Sequence, residues 1–182
     1  MFSFPDDEVK PILAEISKIS SLNARPILIA IDGPAGSGKT SLANQLVSNL
    51  KSATTIHMDD LYPGWNGLAA GAEYLQRFIL GPISQRTTAH WQLFDWAAGE
   101  RADWREFAGG TPLIIEGCGA INRNSIESAD LSVWLEESEE TRKERWLGRE
   151  GNDVHWAQWA AQELDFYARE RSSELAGRVL GG

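Results

Sequence analysis

Cysteine is almost missing from this 182-residue chain, with Cys118 standing alone. No intrachain disulfide can form, so the fold must rest on its own apolar core, and such thiol usage suits a reducing cytoplasm. Only three histidines occur, and with Cys118 they make no cluster at zinc-binding spacing, which argues against a structural metal. No apolar run approaches the ~18 residues of a membrane span. The N-terminal Phe2-Ser3-Phe4-Pro5-Asp6-Asp7-Glu8 is acidic where a secretory signal is basic. These absences predict a cytoplasmic protein without membrane attachment. Basic side chains are outnumbered, 17 against 26 acidic ones, giving a formal charge of -9. That field repels phosphate backbones, so nucleic acid is not an expected partner. Repeats and low-complexity tracts are absent too. With 42% hydrophobic residues, residues 1–182 are expected to form one domain with its own core.

What is present is an alternation of apolar patterns. Val9, Ile12, Leu13, Ile16 and Ile19 recur at three- and four-residue steps, predicting an amphipathic helix within residues 1–25 that packs on the domain. Ile27-Leu28-Ile29-Ala30-Ile31 is a continuous apolar run, the pattern of a strand buried on both faces. Leu42, Leu46, Val47 and Leu50 mark the next helix, and a second strand is expected from Thr54 to Met58. A helix over Ala69 to Leu80 is expected to stop at Gly81-Pro82. Ile83 to Gly110 carries turn residues and five aromatics without a clean period, which predicts short elements and a loop. Strands follow at Leu113-Ile114-Ile115 and at Leu131 to Leu135. Helices are expected from Ser138 to Arg149 and from Asp153 to Arg169, the second carrying Trp156, Ala160, Leu164 and Tyr167 on one side. Arg178-Val179-Leu180 can add a last strand. Strands alternating with helices predict a three-layer α/β/α sandwich around a parallel sheet.

The strongest chemical signal lies between the first strand and its helix. Gly33-Pro34-Ala35-Gly36-Ser37-Gly38-Lys39-Thr40 matches G-x-x-x-x-G-K-[ST] at every fixed position. The glycines let the backbone curl until its N–H groups face inward, and a helix N-terminus adds partial positive charge, which together cradle phosphate oxygens. Nucleotide contacts are therefore expected from Gly33, Ala35, Gly36, Ser37, Gly38, Lys39, Thr40 and Ser41. Lys39 suits the β- and γ-phosphates of ATP, and the Thr40 hydroxyl suits Mg²⁺.

In sheets of this kind, ligands bind beyond the carboxyl ends of the strands. The second strand ends in Met58-Asp59-Asp60-Leu61-Tyr62 and the third in Ile114-Ile115-Glu116-Gly117. Phosphoryl transfer to an alcohol needs a carboxylate to take the hydroxyl proton and acidic groups to hold the metal. Asp59 suits the first role and is also within the candidate metal set with Thr40 and Glu116; the alternative is that these acids cap helices. Arg142, Arg145 and Arg149 recur along one helix face within a lid region at about 138–152. They either close over the phosphates or belong to a solvated helix. Trp65 and Trp96 are either stacking walls for an acceptor or packing residues. No Asn-Lys-x-Asp run is present, which argues against a guanine-nucleotide switch.

With these residues in view, the chain resembles the uridine kinase-like family of P-loop kinases, in particular its small bacterial ATP-binding members. The resemblance runs from about Ile27 to the last strand. It rests on Gly33 to Thr40, on Asp59-Asp60-Leu61-Tyr62 against the family's Asp-x-Phe-Tyr, on Phe94-Asp95-Trp96 against its Tyr-Asp-Phe, on Ile114 to Gly117 and on the arginine-bearing lid. The resemblance implies the P-loop NTPase fold with strand order 2-3-1-4-5 and Asp59 as general base. It also implies acceptor contacts from Tyr62, Phe94, Asp95 and Trp96, and Arg101 matches a family arginine. Two positions depart. Gly99 stands where the family's uridine and cytidine kinases read the base with a histidine, and Arg149-Glu150-Gly151 replaces the lid's usual Arg-Gly.

The expectation is an ATP- and Mg²⁺-dependent kinase acting on a hydroxyl of a nucleoside-like acceptor, as a monomer or homodimer. A kinase for another small alcohol, sugar or pantothenate-like, and a non-catalytic ATP-binding protein are the alternatives.

Overall fold

The computed structural model describes residues 3–22, 25–50 and 52–181. Five strands form one parallel sheet: β1 (Leu28–Asp32), β2 (Thr54–His57), β5 (Leu113–Glu116), β6 (Leu131–Glu136) and β7 (Arg178–Gly181), in the order β2-β5-β1-β6-β7. Numbered within this sheet alone, the order is 2-3-1-4-5. The central strand β1 pairs Leu28 with Leu113 on one side and Ile29 with Leu131 on the other. All five of its residues are buried, as the unbroken apolar run requires when helices cover both sheet faces.

Helices α1 (Asp6–Leu22) and α2 (Lys39–Asn49) cover one face. There Phe4, Val9, Ile12 and Ile16 pack with Leu42, Leu46, Ile29, Ile31, Ile114 and Val133. The other face is covered by α3 (Leu68–Leu75), α5 (Glu139–Glu150) and α6 (Trp156–Glu170). Its core joins Leu28, Ile56 and Ile115 to Tyr62, Leu68, Leu75, Trp146, Trp156, Trp159 and Phe166. Ser138 caps α5 by accepting the Thr141 amide at 3.2 Å, which satisfies one of the orphan donors of a helix start. Gly151, at φ +73°, ends that helix in the left-handed region. A short helix α7 (Ser172–Leu175) leads into β7. Among the described residues no helix is long and apolar enough to cross a membrane.

Three expectations are corrected. The aromatic stretch after Ile83 is a β-hairpin, β3 (Ala89–Asp95) paired antiparallel with β4 (Glu100–Phe107). A register irregularity between Gln92 and Phe94 breaks the period-two pattern that marks a strand. Gly81-Pro82 does not stop the preceding helix. After α3 the chain widens into a π-turn, Gln76–Leu80, and continues as α4 (Gly81–Ser84). The Gly81 amide bonds Gln76 O, so Pro82 occupies the first turn of a fresh segment, where its missing N–H costs nothing. Finally, α6 buries Trp156, Trp159, Glu163 and Phe166, whereas Leu164 is 76% exposed.

Candidate active site

β1 delivers the glycine-rich loop. Its last residue, Asp32, is fully buried and accepts hydrogen bonds from the amides of Gly33 (2.6 Å), Gly119 (3.1 Å) and Ile121 (2.8 Å) and from the Tyr167 hydroxyl (2.8 Å). Burial still outweighs these donors and raises its carboxyl to about 6. Gly36 and Gly38 take φ of +82° and +103°, conformations open to glycine but strained for other residues. A Cβ on Gly36 would lie 2.5 Å from the Arg142 carbonyl oxygen. The amides of Gly36, Gly38, Lys39 and Thr40 have no acceptor among the described residues, and Ser37 Oγ is buried without a partner. A curl of unpaired donors at a helix start fits a phosphate chain. Lys39 Nζ donates to Gly33 O (2.8 Å) and Pro34 O (2.9 Å). Burial works against its charge, but Cys118, Glu163, Glu116 and Asp32 outweigh that and hold the ammonium above its usual range.

The acids converge on this loop because β2 and β5 lie side by side and β5 adjoins β1. Glu116 is buried, and its Oε1 accepts from Thr40 Oγ1 at 2.9 Å and from His57 Nδ1 at 2.6 Å. The bond to Glu116 is the main reason His57 holds its proton above the ordinary range. Thr40 and Glu116 thus offer a hydroxyl and a carboxylate at one point, the hard-oxygen chemistry that Mg²⁺ takes when phosphates supply the remaining ligands. Among the described residues no group of three or more His, Cys, Asp or Glu side chains forms a protein-only metal site. Asp59 stands in a 3-10 turn, Met58–Asp60, and lines the same cavity as Lys39, Thr40 and Glu116. Its side chain is open to the cavity's solvent while protein surrounds the cavity. That enclosure, followed by the charge of Glu116, raises its carboxyl, and Arg149 and Lys39 pull it back.

The cavity has a volume of about 640 Å³ and continues from the loop to an aromatic wall of Tyr62, Trp65, Trp96, Trp146 and Trp159. Trp65 stacks on His155 at 4.2 Å and meets Trp96 at 4.9 Å. The indole N–H groups of Trp96, Trp146 and Trp159 are spent on Asp59 O, Asn152 O and Glu163 Oε1. Their rings are therefore fixed and offer carbon surface rather than donors.

The remaining expected site residues divide. Arg145 and Arg149 line the cavity; Arg142 does not. Arg142 Nη1 donates to Ala35 O at 3.2 Å, and Arg145 Nη1 donates to Gly36 O at 3.0 Å, so both grip the loop. Arg149 lies over Trp146, 5.3 Å from its ring centroid, and pairs with Glu150. On the hairpin only Trp96 of Phe94-Asp95-Trp96 reaches the cavity. Phe94 buttresses it edge-on at 5.6 Å. Asp95 accepts the amides of Ala97 and Ala98 and shapes the hairpin turn. Arg101 is likewise outside the lining: it donates to Leu61 O (2.7 Å) and Gln92 O (3.2 Å) and lies 3.6 Å from the Tyr74 ring centroid. It fastens the hairpin to the segment that carries Asp59.

Four site-supporting residues escaped the sequence reading: Asp32, His57, Glu163 and Tyr167. Asp32 and His57 had a signal, since each ends a parallel strand. Glu163 and Tyr167 come from α6, far along the chain from the loop, and no spacing rule connects them.

No protein-family model matches the chain, and no curated protein matches its sequence. Solved structures do. A possible uridine kinase from Bacillus stearothermophilus superposes with a TM-score of 0.61 at 18% identity, over 94% of this chain and 100% of that one. The YGR205w protein gives 0.60 at 16%, over 100% and 94%. A candidate fructose transport system kinase from Silicibacter sp. TM1040 gives 0.56 at 21%, over 93% and 98%. At these identities the likeness is one of fold: the chain has the three-layer α/β architecture with a parallel sheet that these structures share.

Proposed function

We propose that the protein is an ATP-dependent kinase that transfers the γ-phosphoryl group to a hydroxyl of a small, nucleoside-like molecule. The observation that carries this reading is the single cavity in which Asp59 faces the anion loop across a space walled by tryptophans. The loop amides and Lys39 bind the phosphates. Thr40 and Glu116 are the residues that would hold Mg²⁺, which when bound neutralises charge on the phosphate oxygens. Asp59 accepts the acceptor's hydroxyl proton, a role its raised carboxyl suits. Arg149 and Arg145 bring positive charge to the cavity's loop side, where negative charge gathers during transfer. Tyr62, Trp65 and Trp96 exclude water and orient the acceptor.

A sugar-like alcohol is the second reading, and a specific observation favours it. Gly99 stands at φ +72° with nothing within 4 Å of its Cβ position, and among the described residues no Asn, Gln or His lines the cavity, so no side-chain amide or imidazole is placed to read the edge of a base. A structure of this fold is described as a candidate fructose transport system kinase. ADP release measured over nucleosides, sugars and vitamin-precursor alcohols decides between the two. Turnover with nucleosides supports the first reading, turnover confined to sugars supports the second, and binding of MgATP with no turnover on any alcohol refutes both.

A further inference from the structure

Residue Ala35 is held from outside the nucleotide cavity by two charges of opposite sign. Its amide donates to Glu163 Oε1 at 2.6 Å, and its carbonyl accepts from Arg142 Nη1 at 3.2 Å. Arg142 Nη1 and Glu163 Oε2 are 3.8 Å apart. Glu163 is buried on α6, and the same Oε1 also accepts from Trp159 Nε1 (3.0 Å) and the Cys118 thiol (3.2 Å). Arg142 also lies over Trp156, 5.5 Å from its ring, and its Nε is buried without a partner. Neither side chain lines the cavity, so neither is placed to touch phosphate.

Peptide planarity turns this grip into a function. In a trans peptide unit the C=O and the following N–H point in opposite directions. Pulling the Ala35 carbonyl toward Arg142 therefore turns the Gly36 amide the other way, and Gly36 lines the cavity with that amide unpaired. Pulling the Ala35 amide toward Glu163 turns the Pro34 carbonyl the other way, where it accepts Lys39 Nζ at 2.9 Å. We infer that Glu163 and Arg142 form a positioning clamp on Ala35 that sets the directions of the Gly36 amide and of Lys39 before nucleotide arrives. The clamp joins α5 and α6 to the loop, so the helix carrying the Trp159 wall also tunes phosphate binding. This rests on the reading of the loop as a nucleotide site.

The test is calorimetric titration with MgADP, alongside a melting curve, for the full chain and for E163Q, R142Q and the double variant. In E163Q an amide oxygen can keep the three donors to Oε1, while the charge is lost and an NH2 group replaces the oxygen facing Arg142. About tenfold weaker MgADP binding is expected, the order seen when a support behind binding groups is removed, at a temperature where the variant remains folded. R142Q leaves Glu163 its three donors and carries the test should E163Q melt too low. The double variant is expected to lose no more than the weaker-binding single, because the two side chains act through one residue. Melting temperatures that fall while MgADP affinity stays unchanged would show mere structural support and overturn the inference, as would strictly additive losses. Wild-type protein that fails to bind MgADP would instead remove the nucleotide reading itself.

Discussion

The buried Asp32 lets proton concentration act as the perturbation. Its carboxyl is raised from 3.8 to about 6 in the fold, so between those values the folded chain binds a proton that the unfolded chain releases. Stability from this group is therefore full below pH 3.8 and declines as pH rises toward 6. The difference between those two values corresponds to about 3 kcal/mol in total. From pH 5 to pH 7 the loss is about 1 kcal/mol. His57, Asp59 and Asp60 are also raised and push in the same direction, so the raw pH curve does not isolate Asp32. Asp32→Asn does, because it cannot titrate. Its amide nitrogen replaces Oδ2, which accepts from Ile121, adding a constant cost of about 1–3 kcal/mol. Urea unfolding of both proteins at pH 5, 6 and 7 gives the difference curve. A wild-type advantage that shrinks by about 1 kcal/mol over this range is expected. A flat or rising difference would refute the reasoning and mean that four hydrogen-bond donors keep the carboxylate charged despite its burial.

Other perturbations reach the site directly. Asp59→Asn should leave MgADP affinity intact and lower acceptor-dependent phosphorylation by roughly 10²–10⁴-fold, read as ADP release with and without acceptor. Gly36→Ala places a Cβ 2.5 Å from the Arg142 carbonyl oxygen at φ +82°; a stability loss of about 1–3 kcal/mol in chemical denaturation and weaker MgADP binding in titration should accompany it. Arg101→Met leaves Leu61 O and Gln92 O without their donor. It should cost about 1–3 kcal/mol in the same denaturation assay and, by loosening the hairpin that carries Trp96, raise the KM for the acceptor more than that for ATP.

The glycine-rich loop and the parallel strands were legible in the sequence because both are local. A strand buried on two faces must be apolar throughout, and a loop that turns its amides inward must carry glycine where φ is positive. The order of the strands was implied by resemblance, and the sheet has it. The hairpin was hidden because an irregularity near Leu93 disrupts its alternation and because Trp104, on its outer side, is 65% exposed. The buried face of α6 was misread for a different reason. Patterning assigns glutamate to solvent and leucine to the core, but Glu163 finds three donors inside while Leu164 faces out. Its partners come from sequence positions more than forty residues away, apart from Trp159, so only the folded chain supplies the compensation that makes its burial tolerable.

The two cores on opposite sides of the sheet divide the labour of the molecule. Residues of the core beneath α1 and α2 contribute nothing to the cavity surface, whereas Tyr62, Cys118, Trp146 and Trp159 belong both to the opposite core and to that surface. On the proposed kinase reading, drift in the tryptophan layer retunes which alcohol is admitted while the core beneath α1 and α2 stays intact as ballast. A mutant library aimed at new acceptors belongs on that one side.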